Sequence, residues 1–136
     1  MAAETEAGVS KPVDIFLWVC QLIGALAFSL VGVAKIVGAD AEVQLFAAVG
    51  YGQWLRYFTG GLEIAGALMV VFPGTAAVGA FLLMGVMAGA TVTHLTVLQT
   101  APTLPLALMI LMAIVAFGRQ LGRHRIKARL ATHSAH

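Results

Sequence analysis

Charge is what this chain of 136 residues has least of. Only 10% of its residues are Asp, Glu, Lys or Arg, against about 25% in ordinary soluble domains. None of them lies between Glu63 and Arg119. With 60% of the residues apolar, so few charges cannot make a water-compatible surface. Cysteine is nearly absent as well. Cys20 stands alone, which excludes an intrachain disulfide and the thiol pair that thiol–disulfide exchange requires. In an apolar run its expected role is packing. The net charge is only +2, and five of the eight basic residues fall within 119–129. That clustering is a topology signal rather than a phosphate-tracking surface, so no nucleic-acid partner is expected. These absences leave an integral membrane protein, with the lipid bilayer as its first partner.

What the sequence does have is apolar length. Four segments, roughly 15–37, 55–72, 76–98 and 104–121, are rich in aliphatic residues. At ~1.5 Å per residue, segments of this size match a ~30 Å hydrocarbon core when helical. Helices also satisfy their own backbone hydrogen bonds in lipid, whereas barrel strands would need alternating polar residues. Gly38-Ala39-Asp40, Pro73-Gly74 and the proline pair Pro102 and Pro105 punctuate the segments. The expected fold is all-α: a polytopic membrane four-helix bundle. Residues 1–12 are expected to form a disordered tail without the features of a cleavable signal peptide. Residues 13–122 are expected to form the transmembrane domain, and 123–136 a basic tail. Arg119, Arg123, Arg125, Lys127 and Arg129 place that tail in the cytoplasm, and an even number of spans returns the N-terminus to the same side. Besides anchoring, such a tail can attract anionic lipid.

The connection between the first two spans is itself patterned. Val43, Phe46, Ala47, Val49 and Gly50 fall near one helical face, with Asp40, Glu42 and Gln44 elsewhere. Tyr51, Trp54 and Tyr57 follow, residues that favour the membrane–water boundary. The pattern predicts a short interfacial helix between helices 1 and 2. Two small-residue pairs, Gly61/Ala65 and Gly85/Gly89, have the spacing that lets helix backbones approach closely. They are expected at helix contacts within the bundle, with homo-oligomer formation through Gly85 and Gly89 as the alternative.

Three side chains stand out because they belong to otherwise apolar spans: Lys35, Glu63 and His94. A charge in hydrocarbon costs about 2.5–3.5 kcal/mol on insertion scales, so something must offset it. In the proposed topology all three lie in the outer half of the bundle. Lys35 lies above Gly32, Phe28, Gly24 and Gln21. Glu63 shares a face with Arg56, Thr59, Gly60 and Ala67. His94 stacks over Thr91, Ala90 and Met87. Faces rich in small residues turn toward other helices. One reading is a buried Lys35–Glu63 pair that fixes helix register, with Arg56 competing for the carboxylate and His94 nearby. The other is a polar pocket for a ligand head group, a quinone or a lipid, with Glu63 and His94 handling protons. No metal-ligand or haem spacing is present, and no intrinsic cofactor is expected.

With Val31-Gly-Val-Ala-Lys35-Ile, Leu45-Phe-Ala-Ala-Val-Gly-Tyr51, Thr59-Gly-Gly-Leu-Glu63-Ile-Ala-Gly, Phe72-Pro-Gly-Thr75 and the segment 87–94, the sequence resembles the DoxX-like family of small membrane proteins over about 15–118. The resemblance implies a four-helix bacterial inner-membrane protein. It also implies an association with membrane redox assemblies, such as the thiosulfate:quinone oxidoreductase from which the family takes its name. Lys35, Glu63 and His94 match its polar positions. The functional expectation is a membrane subunit of a redox or other enzyme assembly, with the electron-carrying group on a protein partner. The alternatives are a non-catalytic scaffold or assembly factor and an oligomeric small-solute transporter.

Overall fold

The computed structural model describes residues 9–134, so the N-terminal tail expected over 1–12 falls mostly outside the described residues. Among the described residues there are helices and no strands. Helix α1 runs Lys11–Val37, α2 Asp40–Val49, α3 Trp54–Val71, α4 Ala76–Thr93 and α5 Thr103–His133, with a π-helical turn at His94–Leu98 after α4. Pro12 and Asp14 sit in the first turn of α1, where a missing N–H and a negative charge are both favourable. Gly38 ends α1 in the left-handed region (φ 75°), its N–H reaching back to the Lys35 carbonyl. Phe72 to Thr75 turns α3 into α4, and the Thr75 hydroxyl donates to the Met69 carbonyl at 2.8 Å.

Among the described residues, three helices are long and apolar enough to cross a membrane: Lys11–Val37, Ala76–Leu98 (α4 with its π-helical turn) and Thr103–His133. Four such spans were expected. The exception is α3, which has 18 residues and carries both Arg56 and Glu63. The last helix also continues past 121 to His133, so residues 123–133 extend it.

The four long helices pack in a closed order, α1 on α3, α3 on α4, α4 on α5 and α5 on α1. Phe28, Val70, Leu83, Met112 and Val115 fill the centre and are fully buried, whereas Leu22, Leu26, Leu30, Leu68 and Ile110 face outward. An apolar exterior around an apolar core suits lipid as the solvent. Helix association there rests on close packing and polar ties rather than on escape from water.

The close packing does not occur where the two small-residue pairs suggested. Gly61, Gly85 and Gly89 have nothing within 4 Å of where a Cβ would stand, and Ala65 is exposed. The near approaches fall on other glycines. A Cβ on Gly32 would stand 3.0 Å from the Gly60 carbonyl oxygen, joining α1 to α3. One on Gly79 would stand 2.9 Å from that of Gly66, joining α3 to α4.

At the end where α1 begins, a polar network ties three helices. Arg119 donates through Nη1 to Asp14 Oδ1 and through Nε to Gln21 Oε1, each at 2.5 Å. Fully buried Gln21 donates in turn to the Val70 carbonyl at 2.6 Å. Arg119 therefore belongs to the interior tie as well as to the basic segment. Cys20 is buried in the core.

Candidate functional site

At the opposite end α1 and α3 run antiparallel through the Gly32–Gly60 approach, which sets Lys35 against Gly60 and Glu63 against Gly32. Lys35 Nζ lies 3.2 Å from Glu63 Oε2, and the Glu63 side chain is 1% exposed. A second carboxylate, not expected here, comes from α2: Glu42 Oε2 is 3.6 Å from the same ammonium. Both Oε2 atoms are buried and have no hydrogen bond among the described residues. One cation therefore faces two carboxylates, and the cluster has more acceptor capacity than donors to fill it.

Arg56 does not compete for Glu63. Its Nη1 donates to the Lys35 carbonyl and its Nε to Gln53 Oε1 at 2.7 Å, while Gln53 Nε2 donates to the Val43 carbonyl of α2 at 3.1 Å. The guanidinium also lies 4.3 Å from the centroid of the Tyr57 ring. Arg56 thus gives the Lys35 carbonyl a second donor beside the Gly38 N–H at the end of α1, and links α1 through Gln53 to α2.

His94 opens the π-helical turn. Its Nδ1 is 2.8 Å from Thr100 Oγ1, and its carbonyl accepts the Thr100 N–H at 2.9 Å. The turn ends at Gln99, which takes a left-handed conformation (φ 51°) unusual for a residue with a side chain. None of the hydrogen bonds or ion pairs among the described residues joins His94 to Lys35 or Glu63. What the three share is a cavity of about 860 Å³ with Lys35, Glu42, Glu63 and His94 on its wall. The rest of the wall is mostly apolar, with Phe46, Leu55, Phe58, Phe81 and Leu104 among the larger groups. Gly85 and Gly89 line it too, so they give the cavity width instead of bringing helices together. This volume lies within the range of small-molecule sites, which combine apolar walls with a few convergent polar groups.

Glu42 was the residue that sequence reasoning missed. Glu42, Leu45, Phe46 and Val49 all line the cavity, at the i, i+3, i+4, i+7 spacing of one helical face. That stripe was legible, but it was obscured by grouping Phe46 and Val49 with Val43 and Ala47. Thr59 and Thr93 add hydroxyls to the wall. Their hydrogens already go to helix carbonyls, those of Leu55 and Gly89.

A model of the DoxX-like family matches residues 19–117. The matched range contains Lys35, Glu42, Arg56, Glu63 and His94. No curated protein and no solved structure shows significant similarity to the chain.

Proposed function

The chain belongs to the DoxX-like family, and from that premise we propose that this small membrane protein is a four-span subunit of a redox or other enzyme assembly. Its part in the assembly is to hold an amphiphilic ligand in the cavity at Lys35, Glu42, Glu63 and His94. The single observation that carries the reading is that cavity: four ionisable side chains from four segments, on the wall of about 860 Å³ of mostly apolar space. Helix α3 supplies one of them, Glu63, and is the fourth span of this reading. Its 18 residues reach about 27 Å when helical, and its two charged residues, Arg56 and Glu63, are both buried against neighbouring helices. Both termini are then cytoplasmic and the cavity lies in the outer half of an inner membrane.

The surplus of acceptors selects among head groups. Lys35 is already engaged by two carboxylates, so a head group bringing its own hydroxyls completes the cluster better than one bringing only carbonyls. A quinone in its dihydroxy form fits that requirement, with its ring against the aromatic wall and its tail toward lipid. Bound there, such a group would supply two-electron, two-proton redox chemistry to the assembly. Glu63 and His94 hold the head group and exchange protons with it.

Mass spectrometry of everything that elutes with the gently solubilised chain tests the proposal. The expected result is an enriched hydroxylated amphiphile together with a protein partner carrying a flavin, haem or metal. Recovery of the chain without a partner, holding lipids only in their bulk proportions, overturns it. A second reading, a non-catalytic scaffold, is favoured by one observation: Lys35 and Arg56 together tie α1 to both α2 and α3. On that reading, filling the cavity leaves assembly and turnover unchanged.

A further inference from the structure

A second pocket lies at the other end of the molecule, where α1 begins, α3 turns into α4, and α5 carries its basic residues. Its volume is about 490 Å³, and Lys11, Arg119, Arg123 and Asp14 are its charged lining. Three cations thus face one carboxylate, and that carboxylate is already taken by Arg119 Nη1. The second terminal nitrogen of Arg119, Nη2, is buried and has no hydrogen bond among the described residues. Arg123 is held toward the pocket by donating to the Gly74 carbonyl in the α3–α4 turn. The remaining wall is apolar: Val9, Ile15, Pro73 and Ile126. Ile15 is 64% exposed and Ile126 53%, so the pocket opens onto the apolar exterior of α1 and α5.

We propose that this pocket binds the phosphate of an anionic phospholipid, with Lys11, Arg119 and Arg123 as its ligands and the acyl chains lying along Ile15 and Ile126. Concentrated positive charge with an unfilled buried donor calls for a multivalent oxygen acceptor, and a phosphate supplies one. The exposed isoleucines beside it choose a lipid over a free anion, because a soluble phosphate would leave them uncovered. Basic pockets between membrane helices are suited to lipid head groups of this kind. The inference is independent of the ligand assigned to the larger cavity and requires only that the chain be embedded in a bilayer.

Native mass spectrometry of the full chain, released from vesicles of equal parts phosphatidylglycerol and phosphatidylethanolamine, tests it. Wild type is expected to retain phosphatidylglycerol selectively. Lys11→Gln with Arg123→Gln is expected to lower the retained fraction about tenfold, and Lys11→Arg with Arg123→Lys to restore it. Arg125→Gln with Lys127→Gln removes equal charge from α5 outside the pocket and is expected to retain the lipid. Equal loss from both glutamine pairs would mean diffuse attraction by the basic helix and overturn a built site. Equal retention of the two lipids by wild type would overturn it too. So would thermal protection by inorganic phosphate as strong as that by phosphatidylglycerol, which would reassign the pocket to a free anion.

Discussion

Gly32 and Gly60 meet backbone to backbone at the same crossing where Lys35 and Glu63 form their pair at 3.2 Å. The two contacts are one crossed contact between antiparallel helices: Lys35 stands against Gly60, Glu63 against Gly32, and the ion pair spans the crossing diagonally. A Cβ on Gly32 would press on the Gly60 carbonyl at 3.0 Å, and one on Gly60 would stand 2.9 Å from Lys35 Cβ. Gly60→Val is therefore expected to destabilise the solubilised protein by about 2–3 kcal/mol through overpacking. Gly61→Val, one residue later and facing open space, is expected to change stability by less than about 0.5 kcal/mol. Thermal melts in one detergent compare them, and equal losses would contradict the placement of the helix contact.

The three-member cluster makes the losses at Lys35 and Glu63 unequal. Glu63→Gln leaves Lys35 with Glu42 as a remaining partner, whereas Lys35→Met leaves two carboxylates facing each other without a cation. Lys35→Met is expected to cost about 3 kcal/mol or more, and Glu63→Gln about half as much. The double variant should fall short of their sum, and strict additivity would show that the groups are not coupled.

Gly85 lines the larger cavity and has nothing within 4 Å of its Cβ position. Gly85→Leu therefore starts its side chain in open space on the cavity wall and takes up ligand volume. The melting temperature should stay within a few degrees of wild type, while the co-purifying ligand is lost. Unchanged ligand content would argue against occupancy of that cavity.

Gln21 is fully buried and sits between Arg119 and the Val70 carbonyl. Gln21→Leu keeps the volume but removes a donor and an acceptor at once, so it is expected to destabilise by about 1–3 kcal/mol. Gln21→Glu keeps the acceptor for Arg119 but turns a carboxylate oxygen on the Val70 carbonyl, acceptor against acceptor at a buried position, so its loss should be larger. Equal melts for the two variants would contradict this apportioning.

Much of this architecture is legible in the residues themselves. Gln21, Gly24, Phe28, Gly32 and Lys35 repeat at three- and four-residue intervals, and all are buried in α1. Pro73-Gly74 marks the α3–α4 turn because neither residue favours continuing a helix. The packing glycines on α3 are harder to read. Gly60 and Gly61 are adjacent and about 100° apart around the helix, so composition alone cannot tell which of them meets α1. The π-helical turn leaves no local signature, because His94–Leu98 has ordinary helix-compatible residues. Its wide turn comes from how the chain closes at Gln99 and Thr100. Glu42 shares a legible stripe with Leu45, Phe46 and Val49, but its own burial has a tertiary cause. As a charged residue on a short helix it reads as solvent-facing until α1 is folded against it.

The Arg119–Gln21 hydrogen bond spans 98 residues of sequence, and this has a consequence for biosynthesis. A nascent chain exposes α1 to the insertion machinery long before Arg119 has been translated. Until then Gln21 has no donor for its Oε1, and Asp14 lacks the guanidinium that neutralises it. Final docking of the first helix thus waits for the last, and truncations that stop short of Arg119 should be prime substrates for membrane quality-control proteases.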